Sequence, residues 1–457
     1  MQIDYQLTPA DLQSRLDRFW ELSGQKVALI RDEYDLGQGT PVYTVKGTYT
    51  TRGWTEWTEG FMYGSAVLQF DATGEEEHLA YAKRSTVRKM ASHVSHIGVH
   101  DHGFNNVSTY GNLLRLMNEG LIPEVEWERN FYELALKISG SVQAARWTPL
   151  PDGGYIYSFN GPHSLFVDTI RSCRVLMVSH RLGHSLMGEG DRAISLLGRA
   201  IDHIRATARY SVFYGEGRDR FDAWGRTAHE CIFNVNDGAF RCPNAQQGFS
   251  GFTTWTRGLA WAMVGFAEEL ECMAQLSEVE FEPFGGRAAL TTTMMKAARA
   301  TCDYYIANTP TDGIPYWDNG APNLHRLGEV FSEPSNPYND WEPVDSSAAA
   351  IASQGLLRLG HLLGQEGEGK IYWQAGLTTL KHLFDDPYLS QDEHHQGLIL
   401  HSIYHQPNGW DHVAEGQNVA NGESSMWGDY HAREVALYIQ RVINGDSYYQ
   451  FDACVKV

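Results

Sequence analysis

The sequence lacks any long hydrophobic run, any closely spaced cysteine pair and any excess of positive charge. No stretch approaches about 18 consecutive apolar residues, the length that a membrane-spanning helix needs. The six cysteines are scattered and form no C-x-x-C pair, which predicts free thiols in a reducing compartment. The formal net charge of -20 argues against nucleic acid as a partner, because phosphates would be repelled.

What is present indicates a globular protein with a large core. Of the 457 residues, 42% are hydrophobic and 12% are aromatic, and pockets that bind sugar rings are built from aromatic side chains. No linker or low-complexity segment interrupts the chain, so we predict one domain over residues 1–457. The first residues are neither basic nor strongly apolar, which predicts a cytoplasmic protein. A periplasmic protein whose signal had been removed would look the same.

Apolar segments alternate with amphipathic ones along the chain. Six segments rich in small and apolar residues begin near Thr58, Asn105, Ser164, Phe252, Val344 and Ser425. Six more polar segments cover residues 8–22, 76–96, 124–142, 191–210, 287–308 and 369–384. Six inner and six outer helices predict an all-α fold, the (α/α)6 toroid. An irregular bundle or a solenoid is the alternative, although no internal repeat of about 30–50 residues is visible.

Two aspartates stand out where the apolar segments begin. Asp101 lies between His100 and His102, and Asp168 lies in an apolar run where a free carboxylate would be desolvated. Desolvation raises the pKa of a carboxyl group, so we expect Asp168 to act as a proton donor near neutral pH. For Asp345 and Asp429, by contrast, helix capping is the simpler interpretation.

Further polar and aromatic residues are expected to converge with these aspartates if the helix starts share one rim. A ring-stacking wall, one fixed cation and a proton-handling carboxylate are what a uronic acid requires. The long loops 214–252, 309–344 and 390–425 are also expected to carry function. His96 and His100 have the i, i+4 spacing of zinc ligands, but no third ligand is obvious, so we predict no metal. The expected contributors are His229, Gln247, Arg257, Trp54 and Trp57.

Seven blocks in order resemble glycoside hydrolase family 88, the unsaturated glucuronyl hydrolases, and its relative family 105. The blocks are 58–61 (TEGF) with 73–75 (TGE), 100–104 (HDHGF), 167–169 (VDT), 247–250 (QGFS) through 255–261 (WTRGLAW), 314–318 (IPYWD), 345–350 (DSSAAA) and 427–430 (WGDY). The resemblance covers residues 57–430, most of the chain. It implies the (α/α)6 fold and a reaction without metal or organic cofactor.

The resemblance also implies a reaction and residue roles. The family removes a 4,5-unsaturated uronic acid from the non-reducing end of oligosaccharides by hydrating the C4=C5 double bond. By position, Asp168 resembles the acid/base and Asp101 its partner carboxylate. The substrate-binding positions are His100, His229, Gln247, Arg257, Trp261, Trp57 and Phe61. The expected partner is therefore a small acidic oligosaccharide, with neither nucleic acid nor membrane.

Two other functions remain open from the residues. The same two aspartates would serve an exo-glycosidase that acts on saturated hexuronides or neutral sugars. A non-catalytic sugar-binding protein would need the aromatic residues but no desolvated Asp168.

Overall fold

A computed structural model describes residues 1–34, 36–52 and 57–456 of the chain. Residues 53–56, which include the predicted pocket residue Trp54, lie outside that description. The described part is mainly helical, as predicted, and its helices fall into an inner and an outer set.

The inner set consists of six positions around a ring. They are occupied by α2 (Glu59–Thr73), α5 (His102–Asn106) continued through a π-helical turn into α6 (Asn112–Asn118), α8 (Thr169–Ser172) with α9 (Arg174–Arg181), α11 (Thr256–Ala274), α13 (Ser346–Leu362) and α15 (Met426–Asn444). Each position packs against the next, and α15 packs against α2, so the ring closes. This closure confirms the toroid and excludes a solenoid.

The outer set covers the ring from outside. It consists of α1 (Gln13–Glu33), α3 (Glu76–Lys89) with the short α4 (Ala91–Val94), α7 (Glu126–Ala145), α10 (Leu196–Ala206), α12 (Arg287–Ala307) and α14 (Lys370–Leu383). Burial follows the sequence pattern. In α13 every residue from Ser346 to Gly360 is buried, whereas α3 buries only one stripe, at a spacing of three and four residues.

Glycines bring the helices that carry the two aspartates into close contact. Gly103 in α5 lies against α8, and a Cβ atom placed on it would approach the backbone oxygen of Ser172 to 2.1 Å. A side chain at this position would force the two helices apart. Since Asp101 directly precedes α5 and Asp168 directly precedes α8, Gly103 allows both carboxyl groups to share one site.

Short strands occupy the loops at the helix ends. They are β1 (Pro41–Val45), β2 (Thr48–Thr51), β3 (Trp147–Leu150), β4 (Gly153–Ile156), β5 (Ser164–Phe166), β6 (Leu186–Met187), β7 (Ala193–Ile194), β8 (Glu230–Phe233) and β9 (Phe240–Asn244). The antiparallel sheet β5-β8-β9 pairs Phe166 with Glu230, and the N–H of Val167 donates to the carbonyl of His229 at 2.9 Å. This pairing places His229 beside Asp168.

Two helix boundaries differ clearly from the sequence prediction. The first helix, predicted for residues 8–22, begins with a 3-10 turn at Pro9–Leu12 and continues as α1 to Glu33. The third inner position begins as strand β5, so its helix starts only after Asp168. Pairing of β5 with β8 explains the second difference, because the local pattern of apolar residues does not show which partner a segment will meet.

The hydrophobic core supports the proposal of one domain. One cluster of buried side chains extends from Leu7 to Cys454 and draws on all six inner positions. None of the described helices is both long enough and apolar enough to cross a bilayer.

Candidate active site

A cavity of about 690 Å³ opens at the end of the ring where the inner helices begin. Its wall consists of Trp57, Val99, His100, Asp101, Phe104, Phe159, Phe166, Asp168, Gln246, Gln247, Trp255, Arg257, Trp261, Tyr404, His405 and Trp410. Most of the predicted site residues therefore meet in one place. The two that do not line the cavity, His229 and Phe61, lie directly behind its wall.

Asp101 and Asp168 hold N-cap positions but do not cap. Neither side chain accepts a hydrogen bond from its helix, whereas Asp345 accepts from two N–H groups at the start of α13, as predicted. The capping interpretation of Asp429 is wrong. Its carboxylate accepts instead from the N–H groups of Leu398 and Ile399, so it anchors a loop. The two cavity aspartates are thus left available for other chemistry.

His100 lies between the two carboxyl groups. Its Nε2 is 3.4 Å from Oδ2 of Asp168 and 3.7 Å from Oδ1 of Asp101, and all three side chains are at least 89% buried. The ring of His100 lies parallel to that of Phe159, with centroids 6.3 Å apart. Oδ1 of Asp168 has no hydrogen-bond partner among the residues that the structure describes. One acceptor in this cluster is therefore free to meet a substrate or a water molecule.

The two aspartates have opposite pKa directions. Burial, the largest effect, raises the pKa of Asp101, and the neighbouring charge of Asp168 adds to it. Burial also acts to raise the pKa of Asp168, but the hydrogen bond and positive charge of His100 lower it overall. The pKa of His100 is raised, because the two carboxylates outweigh its desolvation. The prediction of a raised pKa for Asp168 is thus wrong.

His229 packs between Phe166 and Trp255, with ring centroids 4.5 Å from each. Its Nδ1 accepts the N–H groups of Gln246 and Gln247 at 3.0 and 3.2 Å, so Nε2 carries the hydrogen. Desolvation lowers the pKa of His229 to about 4, which keeps the ring neutral. The observed contacts make His229 the support of the glutamine loop rather than part of the wall.

The guanidinium group of Arg257 is fully engaged by the protein at its two terminal nitrogens. Nη1 donates to Asp345 and to the carbonyl of Ile403, and Nη2 donates to Gln247 and to the carbonyl of Tyr404. Four hydrogens thus have four acceptors. Arg257 joins both sides of the cavity mouth, and a substrate carboxylate would find no free terminal hydrogen on it.

The predicted aromatic wall is present in part. Trp57 stacks on Trp427 with centroids 5.0 Å apart, and Trp261 packs against Phe104 at the same distance. Both tryptophans line the cavity. Phe61 is fully buried behind Trp57 and contacts it edge to face at 5.9 Å. It therefore supports the wall without reaching the interior.

The histidine cluster suggested by sequence spacing does not assemble. Nδ1 of His102 pairs with Ser139 and its Nε2 with the carbonyl of His96, and residues 95–100 are not helical. Among the described residues two other groups have suitable spacing for a cation. One is the His100, Asp101 and Asp168 cluster, and the other is Glu75, Glu77 and His78 on the outside of the ring.

The chain is similar in sequence to several known proteins. The chain is 27% identical over 403 residues to an unsaturated glucuronyl hydrolase of Bacillus sp. (strain GL1), covering 86% of this chain and 88% of that protein. It is 23% identical over 439 residues to an unsaturated chondroitin disaccharide hydrolase of Streptococcus pyogenes serotype M1, covering 94% and 92%. No protein-family model matches the chain.

Solved structures agree with the sequence comparison. The crystal structure of the Bacillus sp. GL1 unsaturated glucuronyl hydrolase superposes with a TM-score of 0.70 at 22% identity, over 95% of this chain and 99% of that one. An unsaturated glucuronyl hydrolase described as specific for heparin gives 0.71 at 19% identity, over 94% and 98%. The chain is a relative of glycoside hydrolase family 88. This confirms the resemblance that the sequence blocks indicated.

Several wall residues of this family 88 relative were not predicted. Trp255 lies inside the longest sequence block and was within reach of motif reasoning. Tyr404, His405 and Trp410 come from the long loop 390–425, where loop length was the available signal. Asp411 orients this loop by accepting the N–H groups of Tyr404 and His405 at 2.6 and 2.8 Å.

Proposed function

We propose that the protein is a glycoside hydrolase that releases a 4,5-unsaturated uronic acid from the non-reducing end of oligosaccharides. The observation that carries this proposal is the buried cluster of Asp101, His100 and Asp168 inside an aromatic cavity. Its relatives are named for unsaturated glucuronyl and unsaturated chondroitin disaccharide substrates, which are acidic sugars of this kind. Free thiols at all six cysteines support a reducing compartment.

In the proposed reaction Asp168 is the acid/base. Its proton passes to C4 of the ring while C5 becomes electron-poor, and water adds at C5 as the Asp168 carboxylate takes up a proton from that water. Addition of water converts the vinyl ether to a hemiketal. The hemiketal collapses, the ring opens and the aglycone leaves. Asp101 and His100 position Asp168 and carry the remaining charge of the cluster.

The pKa directions of the cluster arise from the protein's own groups. They favour a protonated Asp101, a charged His100 and an ionised Asp168. A uronic acid brings a negative charge close to Asp168, and a nearby like charge raises a carboxyl pKa. Substrate binding therefore favours the protonated form of Asp168 that the first step requires. The cluster titrates as a unit rather than as three separate groups.

The cluster geometry also suits a second candidate function. Oxygen atoms of Asp101 and Asp168 lie within 4.8 Å of each other. Retaining glycosidases separate their two carboxyl groups by about 5–5.5 Å. An exo-glycosidase acting on saturated hexuronides or neutral sugars is therefore tested alongside the main proposal, as is a protein that binds sugar without turnover.

One assay separates these functions. The protein is incubated with lyase-generated unsaturated disaccharides in the presence of a chelator, and the ultraviolet absorbance of the conjugated double bond is followed. We expect turnover by the wild type and a loss of about 10²–10⁴-fold in kcat for Asp168→Asn, the range of general acid–base catalysis. Asp152→Asn is the matched control, since Asp152 pairs with Arg209 on the surface and both are largely exposed.

Other outcomes would redirect the assignment. Sugar release from a saturated hexuronide, without change in absorbance of the unsaturated one, would favour the exo-glycosidase. Binding of either sugar without turnover would leave a sugar-binding protein. Activity that is lost with chelator and restored by one cation would place a metal in the cluster.

A further inference from the structure

The cavity wall has an unusual charge balance for a site that receives an anion. Its two carboxyl groups face a single histidine, His100, that is favoured in its charged form. Burial lowers the pKa of His405 to about 4, so its ring is neutral. Arg257 has no free terminal hydrogen. Within the described wall, then, a uronate carboxylate meets no uncommitted cation.

Arg52 is a cation that lies against a residue of the cavity wall. Arg52 follows strand β2, and its guanidinium carbon is 4.6 Å from the ring centroid of Trp410, which is part of the wall. Nε of Arg52 is buried and has no hydrogen-bond partner among the described residues. No ion pair joins Arg52 to an acidic side chain in the part of the chain that the structure describes.

The surroundings of Arg52 show that its charge reaches the cavity. Its positive charge acts to lower the pKa of His405, a wall residue. Asp411, which directly follows Trp410, accepts the N–H groups of Tyr404 and His405 and so already has hydrogen-bond partners. A buried donor on a charged group is costly when it has no acceptor. A ligand that brought an acceptor would remove that cost.

We propose that Arg52 binds the C6 carboxylate of the unsaturated uronic acid and gives the enzyme its preference for charged over neutral sugars. This inference rests on the proposed function. The guanidinium carbon of Arg52 lies 4.6 Å from the centroid of the Trp410 ring, and a planar guanidinium fork matches a carboxylate better than the ammonium group of lysine does. Arg257 then acts as a positioning residue that holds the two sides of the mouth together.

The test compares one sugar in two charge states. The substrate is an unsaturated uronyl disaccharide whose second ring is uncharged, and the comparison compound is its C6 methyl ester. The variants are Arg52→Met, which keeps the stem over Trp410 but removes the charge, and Arg52→Lys, which keeps the charge. Arg209→Met is the control for the same replacement at an exposed surface ion pair.

We expect Arg52→Met to lower kcat/KM for the acid by about 10–100-fold, mainly through KM, because a charged hydrogen bond contributes about 1.5–3 kcal/mol. Activity on the methyl ester should not change, so the preference for the acid disappears. Arg52→Lys should recover part of the preference for the acid. An equal fall for acid and ester would show that Arg52 only packs against Trp410, and no change for either would also overturn the proposal.

Two further measurements distinguish the remaining possibilities. If Arg52 binds an anion on the second ring instead, Arg52→Met will affect a disaccharide sulfated on that ring and spare the one with an uncharged ring. If the wild type turns over no unsaturated sugar, the proposed function fails. Calorimetric binding of glucuronate and its methyl ester to the same proteins still tests Arg52, since loss of the acid's advantage in Arg52→Met requires no turnover.

Discussion

The inner helices carry two groups of buried carboxylates with different surroundings. In the cavity, Asp101 and Asp168 share one histidine. Farther along the same helices a second group, the arginine–glutamate network, consists of Arg171, Arg174, Arg358, Glu268, Glu271 and Glu434. Within this network Arg171 donates hydrogen bonds to Glu268 at 2.9 Å and to Glu434 at 2.6 Å. Arg171 lies in α8 only three positions after Asp168, which directly precedes that helix.

Both groups of carboxylates are buried. They differ in the number of cationic partners that each carboxylate has. Burial acts to raise the pKa of Glu434, yet Arg171, together with His431 and Arg174, lowers it overall. The pKa of Glu271, whose main cationic partner is Arg358, is raised to about 7. Glu269, whose oxygens have no hydrogen-bond partner, has a pKa well above its usual value because of desolvation. Burial alone therefore does not decide protonation, and the partners do.

Breaking the arginine–glutamate network should have the largest effect on stability. Arg171→Met leaves Glu268 and Glu434 without their main partner in a fully buried place. Removing one member of a buried ion pair destabilises a protein by about 3–5 kcal/mol. Chemical denaturation of Arg171→Met measures this. Arg209→Met, which breaks an exposed pair, should cost no more than about 1 kcal/mol. Similar losses for the two variants would contradict the comparison.

Removing the charge of His100 should change activity more than stability. In His100→Gln the side chain can still donate a hydrogen bond, but the positive charge that lowers the pKa of Asp168 is gone. The pKa of Asp168 then rises, so the protonated acid persists to higher pH. We expect the alkaline limb of the kcat–pH profile to move to higher pH, with kcat/KM reduced by up to about 10²-fold. A limb that stays in place or moves to lower pH would show that another group controls it.

Asp101→Asn should change the free energy of unfolding least. It should raise that free energy at neutral pH, whereas Arg171→Met should lower it. The folded-state pKa of Asp101 is raised, so the folded protein binds the proton more tightly than the unfolded chain. Its contribution to stability is present at low pH and is lost as pH rises through the folded-state pKa. At neutral pH the variant should thus be more stable than the wild type by less than about 2 kcal/mol, while losing activity.

The pH dependence provides the check on that prediction. Thermal unfolding of wild type and Asp101→Asn is followed from neutral to acidic pH. The gain in Tm of the variant should shrink as the pH falls, because Asp101 of the wild type becomes protonated in both states. A variant that is less stable at neutral pH would show that the Asp101 carboxylate is held by contacts that outweigh its desolvation.

Much of the architecture could be predicted from the order of residues. The helical period and the alternation of apolar with amphipathic segments predict the six inner and six outer positions, because burial on all sides requires small and apolar residues throughout. The short blocks around Asp101, Asp168 and Arg257 predicted the family and most of the cavity wall. Such blocks can be recognised in a sequence because their residues are contiguous in the chain.

Other features depend on residues that are far apart in the chain. His229 reaches Asp168 through pairing of β5 with β8, and no local pattern predicted these strands. The position of Trp410 at the cavity mouth, with Arg52 against it, joins segments separated by more than 350 residues. The two arginines after Asp168 were visible as charges in an apolar segment, but their glutamate partners lie on α11 and α15.

The sequence by itself thus predicted the toroid, the resemblance to family 88 and the two aspartates that meet in the cavity, since periodicity and contiguous motifs are local properties. The tertiary structure decided what each group does in its surroundings. It showed that the terminal nitrogens of Arg257 are bound by the protein, that Nε of Arg52 has no hydrogen-bond partner among the described residues, and that His100 reverses the expected pKa direction of Asp168. Charge and hydrogen bonding act over a few ångströms in space, so only the folded chain determines which partners meet.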